Sequence, residues 1–250
     1  MFKGAKLTIC LTIIILIFCL TFKVQESFQS KTPKIYCFWT GTNPITPNRI
    51  RALESLKQNS GAEVILVTPN NLPEYILKDF PLHPGFQYLS ETHKADYLRW
   101  YFMHHHGGGY SDIKNTKKSW KSSFETLEQS DKWVIGYQEV QRGVCSQHPN
   151  VRDNYQKLIG NGAYIFKPYT PITTEWGKKI HQILDQKLER LKKNPSKFPQ
   201  DQYGVIYEGK SSKYPLEWAE ICGCLLADIL SKYLDKVLQG LPQPDFTNYR

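Results

Sequence analysis

Two short apolar runs, KIYCFWTG from Lys34 and EVILVTP from Glu63, bracket a segment that opens on Thr46 and Pro47 and closes at Gly61. This spacing constrains the fold more than any other feature of the chain. Thr at the cap, Pro at the first helical position and Gly past the end are the start and stop signals of one helix. Short runs rich in Ile, Val, Tyr, Phe and Trp are buried strands. LPEYILKDF, with Pro73 near its start, predicts a further short helix. Strand, helix, strand, helix leaves few topologies: strands joined by crossovers run parallel, giving an α/β sheet. The 250 residues, 40% hydrophobic, suffice for one such core.

The rest of the chain continues in the same style. Ser90 or Thr92 caps a helix from about His93 to His105, ended by Gly107 to Gly109, and GYSDIK reads as a strand entering a turn. KWVIGY and GAYIFKP are later strands, and Ile172 to about Lys193 is an amphipathic helix with Ile180, Ile183, Leu184, Leu188 and Leu191 on its apolar side. An irregular Pro-, Gly- and Ser-bearing stretch follows, and the spacing predicts a last helix from Pro215 through LEWAEICGCLLADILSKYLDKVL. No internal repeat is evident.

The N-terminus reads differently. LTICLTIIILIFCLTF, Leu7 to Phe22, is flanked by Lys3, Lys6 and Lys23 and followed by no small-residue cleavage pattern. It is expected to be an uncleaved signal-anchor: residues 1–6 a cytosolic tail, 7–23 a transmembrane helix, 24–33 a stem, and 34–250 the catalytic domain. The lysines keep the short side cytosolic, which makes a single-pass type II protein with a lumenal or extracytoplasmic domain, in the Golgi or endoplasmic reticulum of a eukaryote. The net charge of +9 is spread along the chain, and no nucleic-acid-binding signature accompanies it, so no nucleic-acid partner is expected. Cys10 and Cys19 fall within the anchor; a disulfide from Cys145 to the Cys222 region and free buried thiols both fit the remaining cysteines.

The chemistry concentrates in MHHHGGGYSDIK, Met103 to Lys114. Adjacent histidines on a helix point about 100° apart, so His104, His105 and His106 cannot converge on one zinc ion as an i, i+4 pair would. This disfavours a metal-dependent hydrolase. The glycines permit either a sharp helix–strand turn or close approach of a ligand. Upstream, Asp96 and Arg99 share a helix face at i, i+3 and aim an acid and a guanidinium at the turn carrying Asp112. At the end of a parallel sheet, such a polar cluster is where ligands sit in open α/β folds.

HKADYLRWYFMHHHGGGYSDIK resembles the core of the Asp-x-Asp sugar-transferring enzymes, and within them the family 32 glycosyltransferases, which include the yeast initiating α-1,6-mannosyltransferase and capsular polysaccharide enzymes. PKIYCFWTG resembles the family's opening strand and IGNGAYIFKP a later one, so the resemblance spans Pro33 to Pro168. It implies a GT-A fold, a Rossmann-like nucleotide-sugar-binding α/β domain, here behind an N-terminal transmembrane helix. The implied activity is transfer of a hexose from a UDP- or GDP-hexose to a glycan or lipid-linked acceptor, with retention of configuration. The implied donor-binding residues are Trp39, Thr40, Asp96, Arg99, Gly108, Gly109, Tyr110 and Asp112. Trp39 and Thr40 would lie along base and ribose, and Tyr110 on the ribose or uracil side. Asn161 and Glu217 join Asp112 and Lys114 as catalytic candidates, with Trp218 and Glu220 beside Glu217 on the expected last helix.

One position departs from the pattern. The family's second aspartate, which with the first holds a Mn²⁺ or Mg²⁺ ion, is Lys114 here. Three accounts stand at this point: Lys114 meets the donor diphosphate in place of the metal, Asp112 alone still holds the ion, or the chain is a catalytically inactive relative that binds a nucleotide-sugar or glycan.

Overall fold

The apolar runs of the sequence pair into one six-stranded sheet. The computed structural model describes residues 32–139 and 149–247, and Lys34–Arg250 form one unit by their contacts. In chain order its first half contains β1 (Lys34–Phe38), α1 (Pro47–Asn59), β2 (Glu63–Val67), α2 (Glu91–His105), β3 (Gly108–Ser111), α3 (Lys121–Glu128) and β4 (Val134–Gln138). The second half adds α4 (Pro149–Asp153), β5 (Ile159–Phe166), α5 (Pro171–Lys193), the small hairpin β6 (Ile206–Tyr207) and β7 (Lys210–Ser211), α6 (Gly223–Leu230) and β8 (Val237–Gln239). The expected anchor at 7–23, the stem as far as residue 31, and Cys10, Cys19 and Cys145 lie outside the described residues. Among the described residues no helix is long and apolar enough to cross a membrane.

The strand order is β2-β1-β3-β5-β4-β8. β1 is parallel to β2 and β3, and β4 to β8, while β5 is antiparallel to both its neighbours. β5 is thus the single reversed strand. The expected parallel arrangement holds for the first three strands, and the sheet as a whole is mixed.

Alternation along the strands sorts the core into two layers. Tyr36, Phe38, Tyr110, Tyr164 and Phe166 face a cluster built with α2, α5 and α6, including Tyr97, Phe102, Trp176, Ile180 and Leu226. Ile35, Cys37, Ile135, Ala163 and Ile165 face the opposite way, onto Ala52, Leu53 and Leu56 of α1 and Trp120 and Leu127 of α3. The cap signals work as read: Thr46 accepts from Arg49 N–H and Ser90 from His93 N–H.

Two helices of the sequence reading are corrected. LPEYILKDF makes only a 3₁₀ turn at Leu72–Tyr75. Its backbone also bonds to a side chain of α2: Leu77 N–H donates to the Tyr101 hydroxyl at 2.9 Å, which donates to Phe80 O at 2.6 Å. The last helix is confined to Gly223–Leu230. Trp176 Nε1 takes the Ile221 carbonyl at 3.1 Å, and Val237–Gln239 pair with β4 as an edge strand. In both places tertiary partners outbid helix propensity, a weak preference per residue.

Candidate functional site

The parallel strands β1 and β3 end side by side, and a cleft of about 320 Å³ opens over their carboxyl ends. Its floor is Phe38 to Gly41 at the end of β1 and Ser111 to Lys114 at the end of β3; Arg49 of α1, Arg99 of α2 and the later residues Pro199, Gln200 and Trp218 form walls. β5 runs the other way, so its beginning lies beside the end of β3. Asp112 N–H donates to Gly162 O at 2.8 Å, which puts the Gly160-Asn161-Gly162 segment at the same edge.

Arg99 is the hub. It is largely enclosed on α2, contacts Asp96 Oδ1 at 3.5 Å and Asp112 Oδ1 at 3.0 Å, and donates to Asn161 O at 3.3 Å and to Cys222 Sγ at 3.8 Å. Its Cζ sits 4.5 Å over the Tyr110 ring. Burial works against its charge, but Tyr110, Asp112 and Asp96 more than offset that and raise its pKa. Its Nε is buried without an acceptor among the described residues.

The two acids on Arg99 behave oppositely. Burial dominates at Asp96 and raises its pKa despite the guanidinium. At Asp112 burial pushes the same way, but Arg99 and Lys114, with hydrogen bonds from Lys114 and Tyr110, prevail and lower the pKa. Oδ1 of Asp112 accepts from Arg99 and the Tyr110 hydroxyl, and Oδ2 is ion-paired with Lys114. Lys114 is itself buried, with Nζ 4.6 Å from the centre of the Phe246 ring.

The structure therefore brings together Trp39, Thr40, Asp96, Arg99, Tyr110, Asp112, Lys114 and Asn161. Trp39 donates to Asn43 O at 2.8 Å and Thr40 to Glu91 O at 2.8 Å, which fixes both at the cleft. Tyr110 lines the cleft but stacks on Phe38 at 5.6 Å and lies under Arg99, so it offers little ring face to a ligand. Asn161 contributes its carbonyl to Arg99, and its side chain accepts from the Cys222 thiol at 3.3 Å.

Three expected site residues fall elsewhere. Gly108 and Gly109 do not line the cleft: Gly108 has φ +85° and lies against the Lys34 carbonyl, and Gly109 is pressed between Ile35, Trp120 and Phe124. Their missing side chains let strand and helix close on β3. Glu217 is in a turn rather than a helix, with its carbonyl bonded to His93 Nε2 at 2.9 Å and its N–H to Glu220, while its neighbour Trp218 reaches the cleft. The three histidines diverge: His104 bonds Thr173 Oγ1 and His106 the Tyr75 carbonyl, each at 2.9 Å, and burial lowers His105 to about 4.

Two residues escaped the sequence reading. Arg49 lines the cleft and donates to Ile113 O at 2.7 Å. Its place in the first turn of a helix that follows β1 was a usable signal, because such a turn starts at the ligand edge of a parallel sheet. Cys222, whose thiol pKa is pushed up by burial, carried no such signal.

A mainly parallel sheet with cationic side chains gathered at its strand ends has the build of α/β proteins that take phosphorylated ligands at that edge. Residues 14–141, just over half of the chain, match the family described as capsular polysaccharide synthesis protein, and the chain belongs to that family. It is also 26% identical over 170 residues to inositol phosphoceramide mannosyltransferase 2 of Schizosaccharomyces pombe (strain 972 / ATCC 24843), covering 60% of this chain and 48% of that protein. The chain thus spans about half the length of this curated relative. Among solved structures it superposes on the PaToxG glycosyltransferase with a TM-score of 0.48 at 13% identity, over 88% of this chain and 77% of that one. The resemblance drawn from ADYLR, GGGY and SDIK is borne out by the family and by a relative that is a mannosyltransferase.

Proposed function

We propose that the chain is a GT-A-type glycosyltransferase that moves a hexose from a nucleotide-sugar to a glycan or lipid-linked acceptor, with Leu7 to Phe22 as a type II anchor and retention at the anomeric carbon. The observation that carries this reading is the Arg99–Asp112–Lys114 cluster at the joint end of β1 and β3, inside a cleft of about 320 Å³. The name of the fission-yeast relative supports GDP-mannose as the first donor to try and a phosphorylated sphingolipid as the first acceptor.

The chemical need of such a transfer is to stabilise negative charge on the departing nucleoside diphosphate. Arg99, Lys114 and Arg49 supply fixed cations at the cleft, and Arg99 Nε is a further donor with no partner among the described residues. Trp39 and Thr40 border the base and ribose side. Asp112 orients Arg99 and Lys114, while Tyr110 and the Asn161 carbonyl hold the guanidinium from below and behind.

A divalent ion at Asp112 fits this donor set poorly. Both carboxylate oxygens are engaged by cationic groups, and an incoming ion would meet Arg99 and Lys114 at short range. Asp96, the second acid on Arg99, is tied to it at 3.5 Å. These charges support transfer without a metal, Lys114 standing where the family places its second aspartate.

The test is release of nucleoside diphosphate from UDP- and GDP-sugars, with a lipid or glycan acceptor present, in EDTA and in Mn²⁺. Turnover is expected to survive EDTA, and Lys114→Ala to lower kcat by about 10²–10³-fold, the usual loss for one transition-state charge partner. Turnover only with Mn²⁺ would overturn the metal-independent reading. Donor binding without turnover on any acceptor would favour the inactive relative.

A further inference from the structure

Eight large apolar side chains are exposed among the described residues, and four of them, Tyr203, Ile206, Tyr207 and Trp218, fall within one short stretch. Ile206 is the most exposed at 67%. Hairpin β6–β7 carries Ile206 and Tyr207, turned by Glu208 at φ 49° and Gly209 at φ 74°. A side chain added at Gly204 or Gly209 would meet nothing within 4 Å, so the hairpin stands off the body.

The hairpin is nonetheless held firmly at its base. A two-residue ladder has little stability of its own. Asp201, only 1% exposed, accepts from Ser212 Oγ at 2.6 Å and from Lys197 N–H at 3.0 Å, bracing both arms. Phe198 stacks on Tyr207 at 4.1 Å, and Tyr203 N–H donates to Leu216 O at 2.7 Å. A buried carboxylate thus fixes a tip on which Ile206 is two-thirds exposed and Tyr207, stacked on Phe198, still nearly half exposed.

Charge shows which partner such a tip fits. From Arg190 to Lys213 the exposed cations are Arg190, Lys192, Lys193, Lys197, Lys210 and Lys213, of which Lys192 pairs with Glu189. The acids of the same span are Asp201, buried at the base, and Glu208 alone at the surface. Exposed aromatic and aliphatic groups on a segment with this excess of lysine are the composition of a segment lying in the interface of an anionic bilayer. A glycan would use the tyrosine faces, but Ile206 has no ring to stack on a sugar, and it is the outermost group.

We propose that the hairpin Tyr203–Lys213 inserts its tip into the headgroup boundary of an anionic lipid bilayer, with the surrounding lysines on lipid phosphates. The strand of chain from Pro199 to Trp218 joins this tip to the cleft wall. Membrane contact would therefore present the cleft to lipid headgroups, making a membrane lipid the acceptor class under the transfer reading above. The surface itself does not depend on that reading.

The experiment uses the full-length chain in nanodiscs of phosphatidylcholine and phosphatidylserine, doped with a phosphatidylcholine whose acyl chain carries a diazirine near its carbonyl end. After irradiation and digestion, lipid adducts are mapped by mass spectrometry. Adducts on peptides covering Tyr203 to Lys210 are expected, falling several-fold in the Ile206→Asp, Tyr207→Asp double variant and on omission of phosphatidylserine. A protein folded by circular dichroism with no adducts in that span, or with adducts indifferent to the double variant or to lipid charge, would overturn the proposal. Tip adducts in a protein that fails to release nucleoside diphosphate would count against the transfer reading alone.

Discussion

The two halves of the sheet are built by different rules. In β2-β1-β3 every strand runs the same way, and β1 and β3 deliver their ends to the cleft. In β5-β4-β8 one strand is reversed, the β4–β5 register breaks between Gly136 and Gln138, and the edge strand is three residues long. The first half carries most of the charged groups of the cleft, and the second backs them with main-chain carbonyls and bulk. Arg99 spans the two, touching Asp112 beyond β3 and the Asn161 carbonyl on β5.

If that division is right, removing the bridge costs most. Arg99→Met leaves the buried Asp96 without its guanidinium and the half-buried Asp112 with Lys114 alone, and a loss of about 3–5 kcal/mol is expected, as for other broken buried pairs. Urea unfolding at neutral pH measures it; a loss below about 1 kcal/mol would mean the halves hold together without Arg99. Next in size is Gly160→Ala, where a Cβ would overlap the Tyr137 ring and force β4 and β5 apart. Overpacking of this kind costs about 1–3 kcal/mol. The same urea series reads the loss, and nucleoside diphosphate release should fall with it if β5 sets the position of Arg99. The smallest effect belongs to the parallel half alone. Thr46→Ala removes the α1 cap and should cost about 1 kcal/mol while leaving donor affinity within a few-fold.

The same contrast explains what could be read from the sequence. β1, α1, β2 and α2 announce themselves through local signals: Thr46-Pro47, Gly61, Ser90 and the unbroken apolar runs. The cluster was legible too, because Asp96 and Arg99 lie one helical turn apart and the turn that follows carries Asp112 and Lys114. The engagement of both Asp112 oxygens was not, since Arg99, Tyr110 and Lys114 converge only once β3 is seated against β1. In the other half the decisive partners are distant. Nothing near Val237 announces that it will pair with Val134, and nothing near Ile221 that Trp176 will claim its carbonyl. The glycine triplet misled in an instructive way: its openness serves a neighbouring strand and helix rather than a ligand.

The reversal of β5 has a consequence for how such a chain can change over time. Because the end of β3 and the beginning of β5 meet at one edge, everything between Asn115 and Leu158 is a closed excursion that leaves the cleft and returns to it. Connections on that excursion can grow or shrink without shifting Asp112 relative to Asn161, provided the β3–β5 ladder keeps its register. A slip of one residue there would do the opposite, turning the Asn161 side chain to the other face of the sheet. Length is thus tolerated along the detour, and phase is not tolerated at its mouth.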